Sequence, residues 1–342
     1  MDLYKILNDI ETRLDETEEE VVLSRWKSFA DGTNESEPFQ SPGRTPKPVG
    51  YDIPYIHIND AVKDEELMLI SQFVSVLRAL SEGHSGILTI RSNYGVGIIP
   101  TMLGAEPFIM PYDAHTLPNA RHLSKDKLER LAESDLPDFN AGFGASVLSV
   151  GEKFMEIKEK YPKIDKYVRI DHPDCQGPFD LCELLYGSDM FYEMYDNPDF
   201  IHVLLRKITD YYKAFMEHWF TLSPNTDGYH SYGSWMHKGT ICLRDDSAMN
   251  LSPEFYEEFI FPYDRELLKH FGGGAIHFCG KGDHYIEKMC ETEYLYGINM
   301  SQPHYNDMSV ILRNTVNKGI NLYTCYFDMP KDEKYCLSRL SM

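Results

Sequence analysis

Apolar residues fall into two rhythms along this chain, one of short runs with a strand-like pattern and one of longer stretches repeating every three to four positions. The short runs are 51–59 (YDIPYIHIN), 86–95 (GILTIRSNYG), 166–174 (KYVRIDHPD), 227–237 (DGYHSYGSWMH), 274–280 (GAIHFCG), 294–300 (YLYGINM) and 320–327 (INLYTCYF). Helical periodicity lies between them at 64–82, 177–187, 197–220 and 251–272. Ser252 is placed to cap the last of these, Pro253 stands in its first turn and Gly272 stops it. Strand and helix in alternation predict parallel βαβ units, hence an α/β chain.

Ahead of that pattern, Leu3, Ile6, Leu7, Ile10, Leu14 and Val21 approximate one face of an acidic surface helix. Residues 32–49, rich in Pro, Ser, Gly and Asn, predict an extended connector without a packed core of its own. The organisation expected is therefore an N-terminal helix and connector over 1–49 and one large domain over 50–342. With seven strand-like runs and no clear eighth after 320–327, the fold predicted is a TIM (β/α)8-type barrel carrying an N-terminal helical extension, its last strand missing or atypical.

A net charge of −21 over 342 residues offers no basic stripe for a phosphate backbone, which argues against nucleic acid and anionic membrane surfaces. No apolar stretch approaches membrane-spanning length, and acidic residues stand where a secretory leader needs basic ones, so a cytoplasmic protein is expected. Seven scattered cysteines without a CxxC argue against a disulfide framework and leave free thiols or metal ligands.

In a barrel the chemistry gathers at the C-terminal ends of the strands, so polar residues just past the runs are the candidates. They include Asn93, His172, Asp174, Gln176, Asn299 and Gln302 for holding a substrate, and His230, Tyr232 and Asp246 for catalysis. His230 and Tyr232 share a strand face, with Trp235 expected on the other. His277 and Cys279, two apart on one strand, also share a face, so they either pack the strand end or grip one ion. Asp245 and Asp246 precede a helix and are either caps or charged groups over the mouth.

Taken together, "PDCQGPFDLCELLYG", "DDSAMNLSPEFYEEFIFPYD" and "IHFCG" resemble the uroporphyrinogen decarboxylase superfamily over roughly residues 50 to 330. The haem-pathway decarboxylases of that superfamily hold tetrapyrrole carboxylates with arginines after the first strand. The matching "YIHINDAVKDEE" here has none. The resemblance is closer to its zinc-dependent methyltransferases, which pass methyl groups between a corrinoid and a small thiol. It implies a TIM barrel, often a homodimer, with zinc on His277 and Cys279, Cys325 as third ligand, and a corrinoid-binding partner protein. Two further readings stand beside it: a metal-free decarboxylase of a small carboxylic acid using Asp246 or His230 as acid, and a non-catalytic binding subunit.

Overall fold

The computed structural model describes residues 2–35, 37–325, 327–331 and 334–341. It is a mixed α/β chain with eleven strands among those residues: β1 (Leu88–Arg91), β2 (Pro107–Phe108), β3 (Asn119–Ala120), β4 (Val168–Asp171), β5 (Tyr229–Tyr232), β6 (Trp235–Lys238), β7 (Ile241–Arg244), β8 (Gly274–Phe278), β9 (Leu295–Met300), β10 (Asn321–Thr324) and β11 (Leu340–Ser341). A five-stranded parallel sheet runs β11-β10-β9-β8-β7, and β1 pairs in parallel with β4. Every residue of β7 and β8 is buried, as expected of parallel strands covered on both faces.

Ladder hydrogen bonds do not join these two sheets into a closed ring among the described residues. Side chains bridge them instead. His172, one residue past β4, donates its backbone N–H to His230 Nε2 at 3.2 Å and accepts the Cys242 N–H on its own Nε2 at 3.0 Å. Its Nδ1 lies 2.7 Å from the Pro173 carbonyl, which fixes the proton on Nδ1. At the other edge, Phe39 donates to the Leu340 carbonyl at 2.7 Å and forms a parallel bridge with Ser341, while Ser41 Oγ accepts the Gly86 N–H at 2.8 Å, just ahead of β1.

Four expectations change. Residues 51–59 form no strand: Pro54 supplies no N–H for a ladder, and His57 turns the chain by capping the short helix Ile58–Ala61 through Nδ1. Residues 227–237 are not one parallel strand but fall in an antiparallel hairpin, β5 and β6, turned at Gly233-Ser234 with Gly233 at φ 60°. The strand that joins the five-stranded sheet is instead β7, which the sequence pattern did not single out. The stretch 251–272 divides into Pro253–Phe259 and Phe261–His270, because Pro262 cannot donate into a continuous ladder. Beyond β10 the chain adds a two-residue strand, β11, at the edge of the five-stranded sheet.

The N-terminal region is more tightly held than its composition predicts. Ile6, Leu7 and Ile10 of helix Leu3–Arg13 are fully buried against helix Glu65–Glu82. In the connector, Arg44 forms a buried two-pronged pair with Glu19, at 2.6 and 2.8 Å, and Phe39 packs against Trp26 and Phe29. No helix among the described residues is long and apolar enough to cross a membrane.

Candidate metal centre

Parallel pairing of β7 with β8 and of β8 with β9 sets Arg244 beside His277 and His277 beside Asn299. The next residues of β7 and β8 then project from the C-terminal edge. Asp245 continues the ladder by donating to the His277 carbonyl at 2.9 Å, which places Asp246 above the end of β8. Asp180, near the start of helix Pro178–Tyr186, accepts the N–H groups of Asp246 at 2.7 Å and Ser247 at 3.0 Å and so fixes the turn that carries Asp246. Gly280 at φ 74° lets the chain turn sharply after Cys279; a Cβ there would lie 2.5 Å from the Met249 sulfur.

Three donors converge as a result. His277 Nε2 lies 3.4 Å from Asp246 Oδ1 and 3.4 Å from Cys279 Sγ, and all three ligand atoms lie within 4.8 Å of one another. This is the one such group found among the described residues. The ring is held from behind, with Nδ1 2.5 Å from Asn299 Oδ1. Asn299 Nδ2 donates to the Tyr323 carbonyl at 3.1 Å, which determines which end of the amide faces the imidazole. Nδ1 is therefore the donor, and Nε2 is left facing a carboxylate and a thiol. That position calls for positive charge: burial alone depresses the His277 pKa, yet Asp246 and Cys279 push it up to about 11. The same contact with His277 outweighs burial at Asp246 and holds its pKa below the usual value.

A proton on Nε2 or a cation among the three donors satisfies this arrangement. One imidazole, one thiol and one carboxylate, with a hydrogen-bond acceptor fixing the far ring nitrogen, are a donor set that could hold a metal ion, zinc being compatible with it.

The remaining candidates separate into three groups. Cys325 is not in the cluster; it lies on the far side of β9, exposed, with its sulfur 3.4 Å from the Ser301 carbonyl, and Asp246 takes the third place instead. The reason is register, since β10 is two strands removed from β8, roughly 10 Å at ordinary strand spacing. His172 and His230 are buried in the seam between the sheets, their rings stacked 4.7 Å apart, and burial holds both well below the normal imidazole pKa. His230 Nε2 is already occupied by the His172 N–H, so His230 is a structural residue here and not an acid at the mouth.

Tyr232 does reach the centre, its ring 5.8 Å from His277 and 4.4 Å beneath the Arg244 guanidinium. Arg244, buried, is paired with Asp174 at 3.0 Å, and Asp174 is in turn held by Gln176 at 3.1 Å. Arg91 completes this chain, donating to Asn93 at 2.8 Å and approaching Asp174 at 3.6 Å. Asn93, Asp174 and Gln176 thus organise two arginines that sequence reasoning passed over. Gln302 accepts the Gly280 N–H at 2.5 Å and braces the turn after Cys279.

Behind the centre lies a second group: Asp245, expected as a cap or a charge over the mouth, is instead buried beside Asp264, which the sequence did not single out. Asp245 and Asp264 are fully buried, and burial together with their mutual proximity raises the Asp245 pKa well above the usual range; burial lifts Asp264 to about 7. The pair is best described as sharing a proton. Asp264 sits in "FPYDRE", where its apolar neighbours gave the only sign of burial.

No protein-family model matches the chain, and no curated protein matches it.

Proposed function

We propose that this chain is a zinc-dependent methyltransferase built on a barrel of the uroporphyrinogen decarboxylase type. Its methyl group would pass between a corrinoid carried by a partner protein and a small acceptor. The observation that carries this reading is the convergence of Asp246, His277 and Cys279 at the C-terminal ends of parallel strands, with His277 oriented from behind by Asn299. The barrel is supported by the two parallel sheets and by the side-chain bridges at His172 and Ser41 that connect them.

Bound by these three residues, zinc would supply a Lewis acid that lowers the pKa of a substrate thiol. The protein's own part is positional. Asn299 holds the imidazole proton on Nδ1, so Nε2 presents a lone pair. Asp180 and the Asp245 backbone hold Asp246 in reach. Tyr232, pinned beneath Arg244, forms the wall beside His277.

Elemental mass spectrometry on protein purified without chelator tests the metal, with Cys279→Ser alongside; close to one zinc per chain is expected in the wild type and a large loss in the variant. Loss of the methylcobalamin absorbance in the presence of a small thiol tests the transfer. A wild type that holds no metal would end this reading.

A further inference from the structure

The two-residue length of β11 leaves an interval between β10 and the start of β1, and that interval is a cleft of about 660 Å³, large enough for a small molecule. Its aromatic wall is Trp235, partly exposed, 4.3 Å from Tyr323 and 5.4 Å from Tyr232; Trp26 and Tyr323 back that wall and are almost wholly buried. Its lining is hydroxyl-rich, with Ser41, Ser301 and Thr324 among it, and Asn299 and Cys325 line it as well. Ser41 Oγ already accepts N–H groups from Trp26 and Gly86, at 2.9 and 2.8 Å, so its own proton is available to a ligand.

The described lining contains no Lys, Arg, His, Asp or Glu. That is notable in a chain with 87 acidic and basic residues (33 Lys and Arg with 54 Asp and Glu), and the contrast within the molecule is direct. A second cavity, of about 400 Å³, is lined by Lys158, Lys166, Arg169, Asp165 and Asp227. A charged ligand in the uncharged cleft would lose hydration with no partner of opposite sign, whereas a neutral ring with an apolar face packs on the indole and keeps its oxygen atoms hydrogen-bonded.

We infer that this cleft binds an uncharged, oxygen-bearing ring, either a phenol-type arene or a pyranoside, stacked on the Trp235 wall. That the ring is the enzyme's substrate rests on the methyl-transfer reading; the link between cleft and metal centre is Asn299, which lines the cleft and holds His277. The binding itself does not depend on that reading.

Two of the chain's three tryptophans line the cleft, and the third, Trp219, is buried in helix Pro198–Leu222. The full chain labelled with ¹⁵N at the indoles is therefore its own probe. Titration with phenol or methyl glucoside should move the Trp26 and Trp235 signals and leave Trp219 in place, and the tighter of the two identifies the ring class. Benzoate and benzylamine should bind at least about tenfold more weakly than phenol, the scale of one lost hydrogen bond to a charged group. Ser301→Phe, at an exposed rim position, should fill the cleft and abolish the shifts with the Trp219 signal unmoved. No shift with either neutral ring at tens of millimolar, charged analogues binding as well as phenol, or full binding by Ser301→Phe would each overturn the proposal. Zinc content measured on the same samples keeps the outcomes separate: metal without ring binding removes the cleft proposal alone, and ring binding without metal removes the methyltransferase reading alone.

Discussion

His277 and Asn299 face one another across the β8–β9 ladder with Nδ1 and Oδ1 2.5 Å apart, and this contact decides which imidazole nitrogen is free. Removing it leaves all three candidate ligands in place while releasing the ring. Asn299→Leu is therefore expected to weaken zinc binding about tenfold to a hundredfold, the usual effect of losing a residue that orients a ligand. Competition with a chromophoric chelator measures it; unchanged affinity would detach Asn299 from the metal centre.

The assignment of the third ligand has its own test. Asp246→Asn should lower zinc occupancy as Cys279→Ser does, because both atoms lie within 4.8 Å of His277 Nε2 and of each other. Cys325→Ser should retain the wild-type content. The opposite result would return Cys325 to the coordination sphere.

His172 ties the β1–β4 sheet to β7 through its Nε2, where no ladder joins them among the described residues, and packs on the hairpin through its ring stack on His230. His172→Phe keeps the ring but strands the buried Cys242 N–H, so a loss of about 1–3 kcal/mol in folding stability is expected. Urea unfolding reads this directly, and a change within about 0.5 kcal/mol, the range of ordinary surface substitutions, would refute the bridging role.

Acid sensitivity follows from His237. It is buried facing His230 and Trp235, with Arg169 and Arg244 adding positive charge nearby, and burial lowers its pKa to about 4. The unfolded chain binds a proton there below roughly pH 6.5 and the folded chain does not, so the wild type loses stability as pH falls from about 6.5 towards 4. His237→Gln lacks that proton uptake. Its stability relative to the wild type should therefore rise by about 3 kcal/mol between pH 7 and pH 4, at roughly 1.4 kcal/mol per pH unit, and stay flat above pH 7. Parallel stability curves for the two proteins across pH 4 to 7 would show that His237 does not titrate this way.

Glu19 and Arg44, both almost wholly buried, tie the second N-terminal helix to the connector. Glu19→Ala leaves the guanidinium buried without its carboxylate and is expected to cost about 3–5 kcal/mol. Limited proteolysis should then cut within residues 31–50 sooner than in the wild type; the same cleavage rate in both would contradict the tie.

The readable parts of the molecule were those where one segment decides the outcome. The continuous apolar run GAIHF made β8 legible, and the two-residue spacing of His277 and Cys279 placed them together. What escaped depends on register between segments. Asp246 becomes a ligand partner for His277 only because β7 aligns Arg244 with His277, and β7 itself was hidden behind a hairpin. Gly233-Ser234 between Tyr232 and Trp235 was the local signal of that hairpin. His230 read as a mouth residue because its alternation is that of a strand. Its use as an acceptor for a backbone N–H depends on where β4 ends, which no local pattern records.

The contacts of Phe39 with Leu340 and Ser341, and of Asn34 with Ser338, span about three hundred residues of sequence. Such pairs carry the largest loop-closure entropy in the fold and are among the last to form. Until they do, β10 presents an unpaired edge with its backbone donors and acceptors open to other strands. Refolding should accordingly be slow and concentration-sensitive, with a late phase in which the aromatic cluster of Trp26, Phe39 and Tyr323 becomes shielded.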